Sequence, residues 1–325
     1  MSILFVGSRA SDFSGSTFKE TNSAYFDSLY STECAAVLAL FNGGSNGFTL
    51  NHEVAASDTT WYHFYVRTGT KLTNTSNDGY WFTLYNSVGS AVARCDVLDG
   101  NLRSQVFGDT TVQGASFTIA ESTKLIIDVK IVVGANITME IYVNGILQST
   151  ATAANTGAIT APVNLTFEHE DMAYISSGSL WYYSEMVITD NESTLNWRIA
   201  TLVPAAQGTY DQWNGTFADV VSLNDGLSIN TAVANQKESW TLTAYNGPAT
   251  TSGVRSILNT YNANVGIAGP TQLTPFIRHA ATDVDGTTIA PDGLTFEDLT
   301  VNPQTGLPWD TADFGALEIG VKSTA

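Results

Sequence analysis

The chain reads as an all-β protein of two β-sandwich domains, the second the smaller. Strand patterns run through it, and no amphipathic helix exceeds about three turns. Turn residues punctuate those strands at short intervals. Its 325 residues exceed the roughly 250 to 300 at which a single core stops growing, which predicts two domains. We place them at residues 1–200 and 201–325.

The strands follow in order. Trp61-Tyr62-His63-Phe64-Tyr65-Val66-Arg67 is aromatic and β-branched, and Gly79-Tyr80-Trp81-Phe82-Thr83-Leu84-Tyr85 lies behind the turn residues Asn77-Asp78. Residues 90–96 continue the pattern, and 124–132 form a further strand. In Ile137-Thr138-Met139-Glu140-Ile141-Tyr142-Val143 the apolar residues share one face and Thr138, Glu140 and Tyr142 the other, as a half-buried strand requires. Asn144-Gly145 then predicts a type I′ hairpin turn, with Ile146-Leu147-Gln148-Ser149 running back. Residues 163–168 and 179–188 read as later strands. Residues 190–215 mix turn residues with Trp197, Pro204, Tyr210 and Trp213, the pattern of a packed connector. Strands resume from Val220, with 238–245 among them and turns at Asn246-Gly247-Pro248, Asp285-Gly286 and Asp292-Gly293.

A strand, a short turn, a second strand ending in Tyr142-Val143-Asn144-Gly145 and a return strand together resemble the back sheet of concanavalin A-like and laminin-G-like jelly rolls. Residues 179–188 resemble the strand that closes such a fold by returning to pair near the N-terminus. The second half carries Trp213-Asn214-Gly215, Glu238-Ser239-Trp240-Thr241-Leu242-Thr243-Ala244-Tyr245, Val301-Asn302-Pro303-Gln304-Thr305-Gly306-Leu307-Pro308-Trp309 and Gly320-Val321-Lys322-Ser323. These words resemble the C-terminal half of structural proteins of tailed bacteriophages. The resemblance implies a virion component on the tail or the capsid exterior, in a decoration or scaffold role, assembled in the host cytoplasm. It implies other virion proteins as partners and a homo-oligomer around a symmetry axis. A receptor-recognition protein that binds a host surface glycan is the alternative placement. A polysaccharide-degrading enzyme on the jelly roll is a third reading, from another class.

Thirteen basic residues against 31 acidic ones give a formal charge of −18. With no basic cluster, that balance argues against nucleic acid and anionic membranes as partners. No stretch approaches about 20 consecutive apolar residues, the length that spans a bilayer. The start, Met1-Ser2-Ile3-Leu4-Phe5-Val6-Gly7, lacks the basic and apolar regions of a signal peptide. Cys34 and Cys95 are the only cysteines. Two buried free thiols suit a chain folded in the cytosol, with one disulfide between them as the alternative.

No catalytic site is expected. His52, His63, His169 and His279 are too scattered for a zinc motif. In Glu168-His169-Glu170-Asp171, strand alternation leaves at most two ligands on one face. Glycoside hydrolases on this fold need two carboxylates flanking a sugar bond, and their Glu-x-Asp-x-x-Glu strand is absent, with Glu185 alone among apolar residues. No cofactor is expected, calcium apart. Its candidate ligands are Asn77 with Asp78, Asp96 with Asp99, and Asp283 with Asp285, each pair having a plain turn reading as well. Trp61, Trp81 and Trp181 are candidates for stacking on sugar rings, although aromatic residues in sandwich strands more often form core. Trp213, Trp309, Phe314 and Val321 are the interface candidates, set against the alternative that Trp213 and Trp309 plug the small core.

Overall fold

The computed structural model describes residues 2–7, 14–15, 18–31, 33–39, 47–69, 79–98, 100–157, 159–170, 179–221, 227–248, 254–266 and 268–324. The chain divides into two compact units, Met1–Ile199 and Ala200–Ala325.

The first unit is a jelly roll of two antiparallel sheets. Its first sheet runs β13 (Ile146–Ala154), β12 (Asn136–Val143), β11 (Lys124–Val133), β6 (Thr59–Arg67), β15 (Ser179–Asp190), β4 (Cys34–Ala39) and β3 (Phe18–Glu20), and β1 (Ser2–Gly7) also pairs β15. The second runs β10 (Thr111–Gln113), β9 (Asn101–Phe107), β8 (Ala91–Leu98), β7 (Gly79–Asn86), β14 (Pro162–Glu170), β5 (Phe48–Asn51) and β2 (Ser14–Gly15). The closing strand behaves as its sequence suggests: β15 pairs β1 from Met186 to Asp190 and β4 from Ser179 to Tyr183.

Alternation builds this core. Ile137, Met139 and Ile141 are fully buried while Thr138 and Glu140 face outward. Asn144 and Gly145 both take positive φ, 50° and 77°, as a type I′ turn demands. The Asn144 side chain accepts a hydrogen bond from the Ile126 N–H at 2.9 Å and so ties the turn to β11. Between the sheets Phe48, Phe64, Trp81, Phe82, Phe167, Trp181 and Tyr183 are each at most 1% exposed. Phe64 meets Trp81 and Phe167 edge-to-face at 5.7 and 5.1 Å, the geometry that the ring quadrupoles favour. Trp81 donates its indole N–H to the Tyr183 hydroxyl at 2.8 Å, which satisfies the polar atom that so buried an indole brings with it. The cysteines are free and buried in different clusters, Cys95 in this core and Cys34 beside Phe26, Ala36 and Tyr182. Burial pushes the Cys34 thiol up to about 12 and that of Cys95 well above its ordinary value.

The second unit is a smaller sandwich. A five-stranded sheet, in the order β16 (Pro204–Asp211), β17 (Lys237–Leu242), β22 (Leu317–Thr324), β19 (Gln272–His279) and β20 (Thr282–Asp285), is accompanied by a two-stranded antiparallel sheet of β18 (Ile257–Asn264) and β21 (Asp292–Leu299). Tyr261 and Ala263 of β18 pack with Trp240, Leu273 and Val321, and Leu299 of β21 packs with Ile277, Trp309 and Leu317. Gly320 permits this sheet its spacing, because a Cβ there would lie 2.4 Å from the Phe276 ring and 2.6 Å from the Glu238 carbonyl.

Three expectations shift. The strand expected over 238–245 ends at Leu242, after which Thr243 bonds to Val203 through both backbone and side chain. The expected connector is divided: 204–211 forms the edge strand β16, while residues up to Ile199 belong to the first unit. Asp292-Gly293 opens β21 in place of a free turn. The turn expected at Asn77-Asp78 lies outside the described residues.

Replacing Tyr183 with Phe leaves the buried Trp81 N–H without an acceptor, so the first unit should lose about 1–3 kcal/mol, read as an earlier midpoint in urea unfolding with an unchanged slope.

Candidate functional site

The outer face of the second sheet holds the densest set of unusual polar groups. Ala93, Cys95 and Val97 of β8 point into the core, so Arg94 and Asp96 stand on the opposite face. The same alternation turns Arg103 and Gln105 outward from Leu102 and Val106, Thr83 and Tyr85 outward from Phe82 and Leu84, and Asn164 and Thr166 outward from Leu165 and Phe167. Register aligns Gln105, Arg94, Thr83, Thr166 and Thr49 in one row across β9, β8, β7, β14 and β5. Four strand spacings make that row about 19 Å long. At its far end the Thr49 and Thr166 hydroxyls are 3.1 Å apart.

Charge is concentrated at the other end. Asp96 Oδ2 accepts from Arg103 Nε at 2.7 Å, with Arg103 Nη2 at 2.6 Å, and Arg94 Nη2 lies 4.0 Å from Oδ1. The Arg94 guanidinium covers the Tyr80 ring at 3.8 Å and lies 5.2 Å from that of Phe107. Asp96 is 0% and Gln105 4% exposed, although both stand on the outer face. Asp96 Oδ1, Gln105 Oε1, Asn164 Oδ1 and Arg94 Nε are buried with no hydrogen-bond partner among the described residues. Native interiors leave few such atoms, so four on one face of one sheet call for a reason.

The outer face of the first sheet is closed by its own chain. Glu185 sits at a bulge in β15 with φ 53°, a left-handed conformation that costs a non-glycine residue of the order of 1–3 kcal/mol. The bulge aims its buried carboxylate at Arg198, whose Nε and Nη2 each donate to it at 2.8 Å, while Nη2 also donates to Asp27 at 2.8 Å. The guanidinium lies 3.7 Å over the Tyr30 ring. Burial alone would raise Asp27 and lower Arg198, but their mutual bonds hold Asp27 below the usual carboxylate range and raise Arg198 further. Glu185 is thus not alone, as its sequence neighbours suggest, but is the partner of a residue 13 positions away. Next to this clasp, Asp128 Oδ1 accepts from Thr194 at 2.7 Å and from His63 Nδ1 at 2.8 Å. His63, Asp128 and Ser184 are residue types of a hydrolytic relay, but they are buried where Thr194 of the segment after β15 bonds Asp128, and His63 Nε2, Asp128 Oδ2 and Ser184 Oγ have no hydrogen-bond partner among the described residues.

The remaining expectations are met unevenly. Trp81 and Trp181 are core, at 0% and 1% exposure, and Trp61, at 6%, packs against Tyr142. None presents a ring face for a sugar: Trp81 and Trp181 fill the inter-sheet space, and Trp61, on the outer face of the first sheet, is covered by Tyr142 and Lys130. Trp309 is 0% exposed and donates to the Leu299 carbonyl at 2.8 Å, and Val321 is buried at 9%, so both serve the core of the second unit instead of an interface. Trp213 and Phe314 are half-buried against the same core. As calcium ligands the acidic pairs fare no better. Asp96 is held by arginine, Asp283 by Lys237 at 2.6 Å, Arg278 at 2.5 Å and Tyr210 at 2.6 Å, and Asp285 by Lys322 at 2.7 Å. Partial burial would raise Asp283, but these donors hold it below its ordinary value. No group of three metal-ligating side chains occurs among the described residues. Asn77, Asp78, Asp99, Asp171 and the side chains of Glu168, His169 and Glu170 lie outside the described residues.

Sequence reasoning missed the row through Gln105 and Arg94 and the nearby Asn164. The available signal was Arg94 and Asp96 alternating with Ala93, Cys95 and Val97, which already committed two charges to one outer face. Nothing in the sequence pointed to the clasp of Glu185 and Arg198, since a bulge breaks the alternation that would have placed Glu185.

No family model matches the chain, and no curated protein does. Among solved structures it is similar to the binding domain of botulinum neurotoxin serotype C1, at 10% identity and a TM-score of 0.44 over 100% of this chain and 99% of that one. It is also similar to an endo-β-1,4-glucuronan lyase from the fungus Trichoderma reesei, at 11% identity and 0.45 over 60% and 98%, and to the globular domain of T. cruzi calreticulin, at 8% and 0.37 over 59% and 89%. Likeness at this level carries no argument about what the present chain binds or does.

Removing Arg198 strands a buried carboxylate. Arg198→Ala should cost the first unit about 3–5 kcal/mol, whereas Arg198→Met combined with Glu185→Leu should recover most of that loss, both read by urea unfolding.

Proposed function

We propose that the chain is a non-enzymatic structural component of a tailed-bacteriophage virion, a decoration or scaffold protein of the tail or the capsid exterior, acting as a homo-oligomer among other virion proteins. The observation that carries this reading is the way the second unit uses the sequence words that resemble phage structural proteins. Trp240, Trp213 and Val321, from three of those words, pack into one cluster. Trp309, from the fourth, bridges Val254 and fills the adjoining cluster with Ile277 and Leu317. Words far apart in the chain therefore act together as one fold determinant, which supports reading them as the signature of a domain.

The chemistry of the carboxylates supports the non-enzymatic part. Glu185 is gripped by Arg198, Asp96 by Arg103, and Asp283 by Lys237 and Arg278. A general acid must release and regain a proton near neutral pH. The donors around Asp283 hold its carboxyl below its ordinary value against the effect of partial burial, and Glu185 and Asp96 are occupied by structural ion pairs. The charge of −18 suits a heavily exposed particle component and disfavours contact with the packaged nucleic acid.

Light scattering on the purified chain tests the proposal, together with the viscosity of host-polysaccharide solutions after incubation with it. The expected result is a discrete symmetric oligomer and unchanged viscosity. A monomer that thins the polysaccharide would overturn the reading.

A further inference from the structure

We propose that the outer face of the second sheet, centred on Arg94, Asp96, Gln105 and Asn164, is a binding site for a neutral, hydroxyl-rich oligosaccharide. This inference rests on the reading of the chain as a non-enzymatic virion component, and it gives that component a ligand.

The class of ligand follows from donors and acceptors. Of the four buried atoms without partners, Asp96 Oδ1, Gln105 Oε1 and Asn164 Oδ1 accept, and only Arg94 Nε donates. A complementary ligand must therefore present several O–H or N–H donors and few acceptors that demand a cation. Carboxylate or phosphate ligands offer acceptors alone, and would meet three more acceptors in a chain of charge −18. A cationic ligand would face the guanidinium groups of Arg94 and Arg103. An apolar one would leave all four atoms unsatisfied, at a cost of about 1–3 kcal/mol for each. Sugar hydroxyls both donate and accept, which fits the three acceptors, the single donor and the adjoining row of Thr83, Thr166 and Thr49. Tyr80, Tyr85 and Phe107 bring aromatic rings to the same face, the usual complement of a sugar ring's apolar side.

The row's shape adds a direction. Gln105 and Arg94 belong to this row, while Asp96 and Asn164 stand in the flanking rows on opposite sides of it, so the oligosaccharide crosses several strands of the sheet. Reaching the floor atoms takes rotation of the long side chains above them, and Arg94 and Arg103 keep 16% and 14% side-chain exposure with which to move.

An atom without a partner also separates a binding role from a structural one. A buried acceptor that stabilises the fold costs stability when removed, whereas one left without a partner in the free protein does not. The test uses the full chain with neutral gluco- and galacto-oligosaccharides, tetra- to hexasaccharide, and oligouronates of matched length, read by saturation-transfer NMR and calorimetry. Thermal unfolding monitors Gln105→Met and Asn164→Leu. The expected result is binding of at least one neutral series, weaker or absent binding of the oligouronates, and a loss of at least tenfold in affinity in each variant with unfolding temperatures equal to or above the parent's. Preference for the oligouronates, absence of binding to every neutral series, or variants that bind normally would overturn the inference. Failure here with a symmetric oligomer intact removes the ligand and leaves the proposed virion role standing. A saccharide that is bound and then cleaved keeps the face and contradicts the non-enzymatic reading.

Discussion

The two-residue period of the β-strand is the constraint from which the rest of the first unit follows. Each strand that gives a residue to the space between the sheets must commit its neighbour to the outside. The inter-sheet core is filled by Phe48, Phe64, Trp81, Phe82, Phe167 and Tyr183, and β8 and β9 add Ala93, Cys95, Leu102 and Val106. Arg94, Asp96, Arg103 and Gln105 then have no other place than the outer face. Once there, cross-strand register decides who meets whom, and Arg103 closes on Asp96 because they are paired across β8 and β9.

The two outer faces of the jelly roll meet this constraint with different partners. On the first sheet the bulge at Glu185 turns a carboxylate towards Arg198, and the chain after β15 is fixed over the sheet by that ion pair and by Thr194 on Asp128. The left-handed backbone at Glu185 is tolerated because two charge-assisted hydrogen bonds from Arg198 offset it. Among the described residues, buried polar atoms without a hydrogen-bond partner remain on both faces: His63 Nε2, Asp128 Oδ2 and Ser184 Oγ on the first sheet, and Asp96 Oδ1, Gln105 Oε1, Asn164 Oδ1 and Arg94 Nε on the second.

Much of the architecture was legible because it depends on local chemistry. The alternation of residues 137–143, the Asn144-Gly145 turn and the aromatic strands around Phe64 and Phe82 each carry their own physical reason, and all are strands and turns of the fold. What was not legible depends on pairing between distant segments. Which tryptophan is core and which is surface follows from sheet stacking, and it put Trp81, Trp181 and Trp309 inside. Acidic pairs that resemble cation ligands in one dimension meet arginine or lysine in three, as Asp96 and Asp283 do. The polar row of the second sheet was half visible in β8 alone, but its extent needed the registers of β7, β9 and β14.

The central claim is that this chain is built into a virus particle. Mass spectrometry of gradient-purified particles of a tailed phage whose genome is found to carry this sequence, with the copy number taken against a major capsid or tail protein, tests that claim most directly. The account predicts the chain in every particle, in a fixed ratio that matches a symmetric ring or lattice. Its absence from purified particles, with abundant free protein in the lysate, would contradict it.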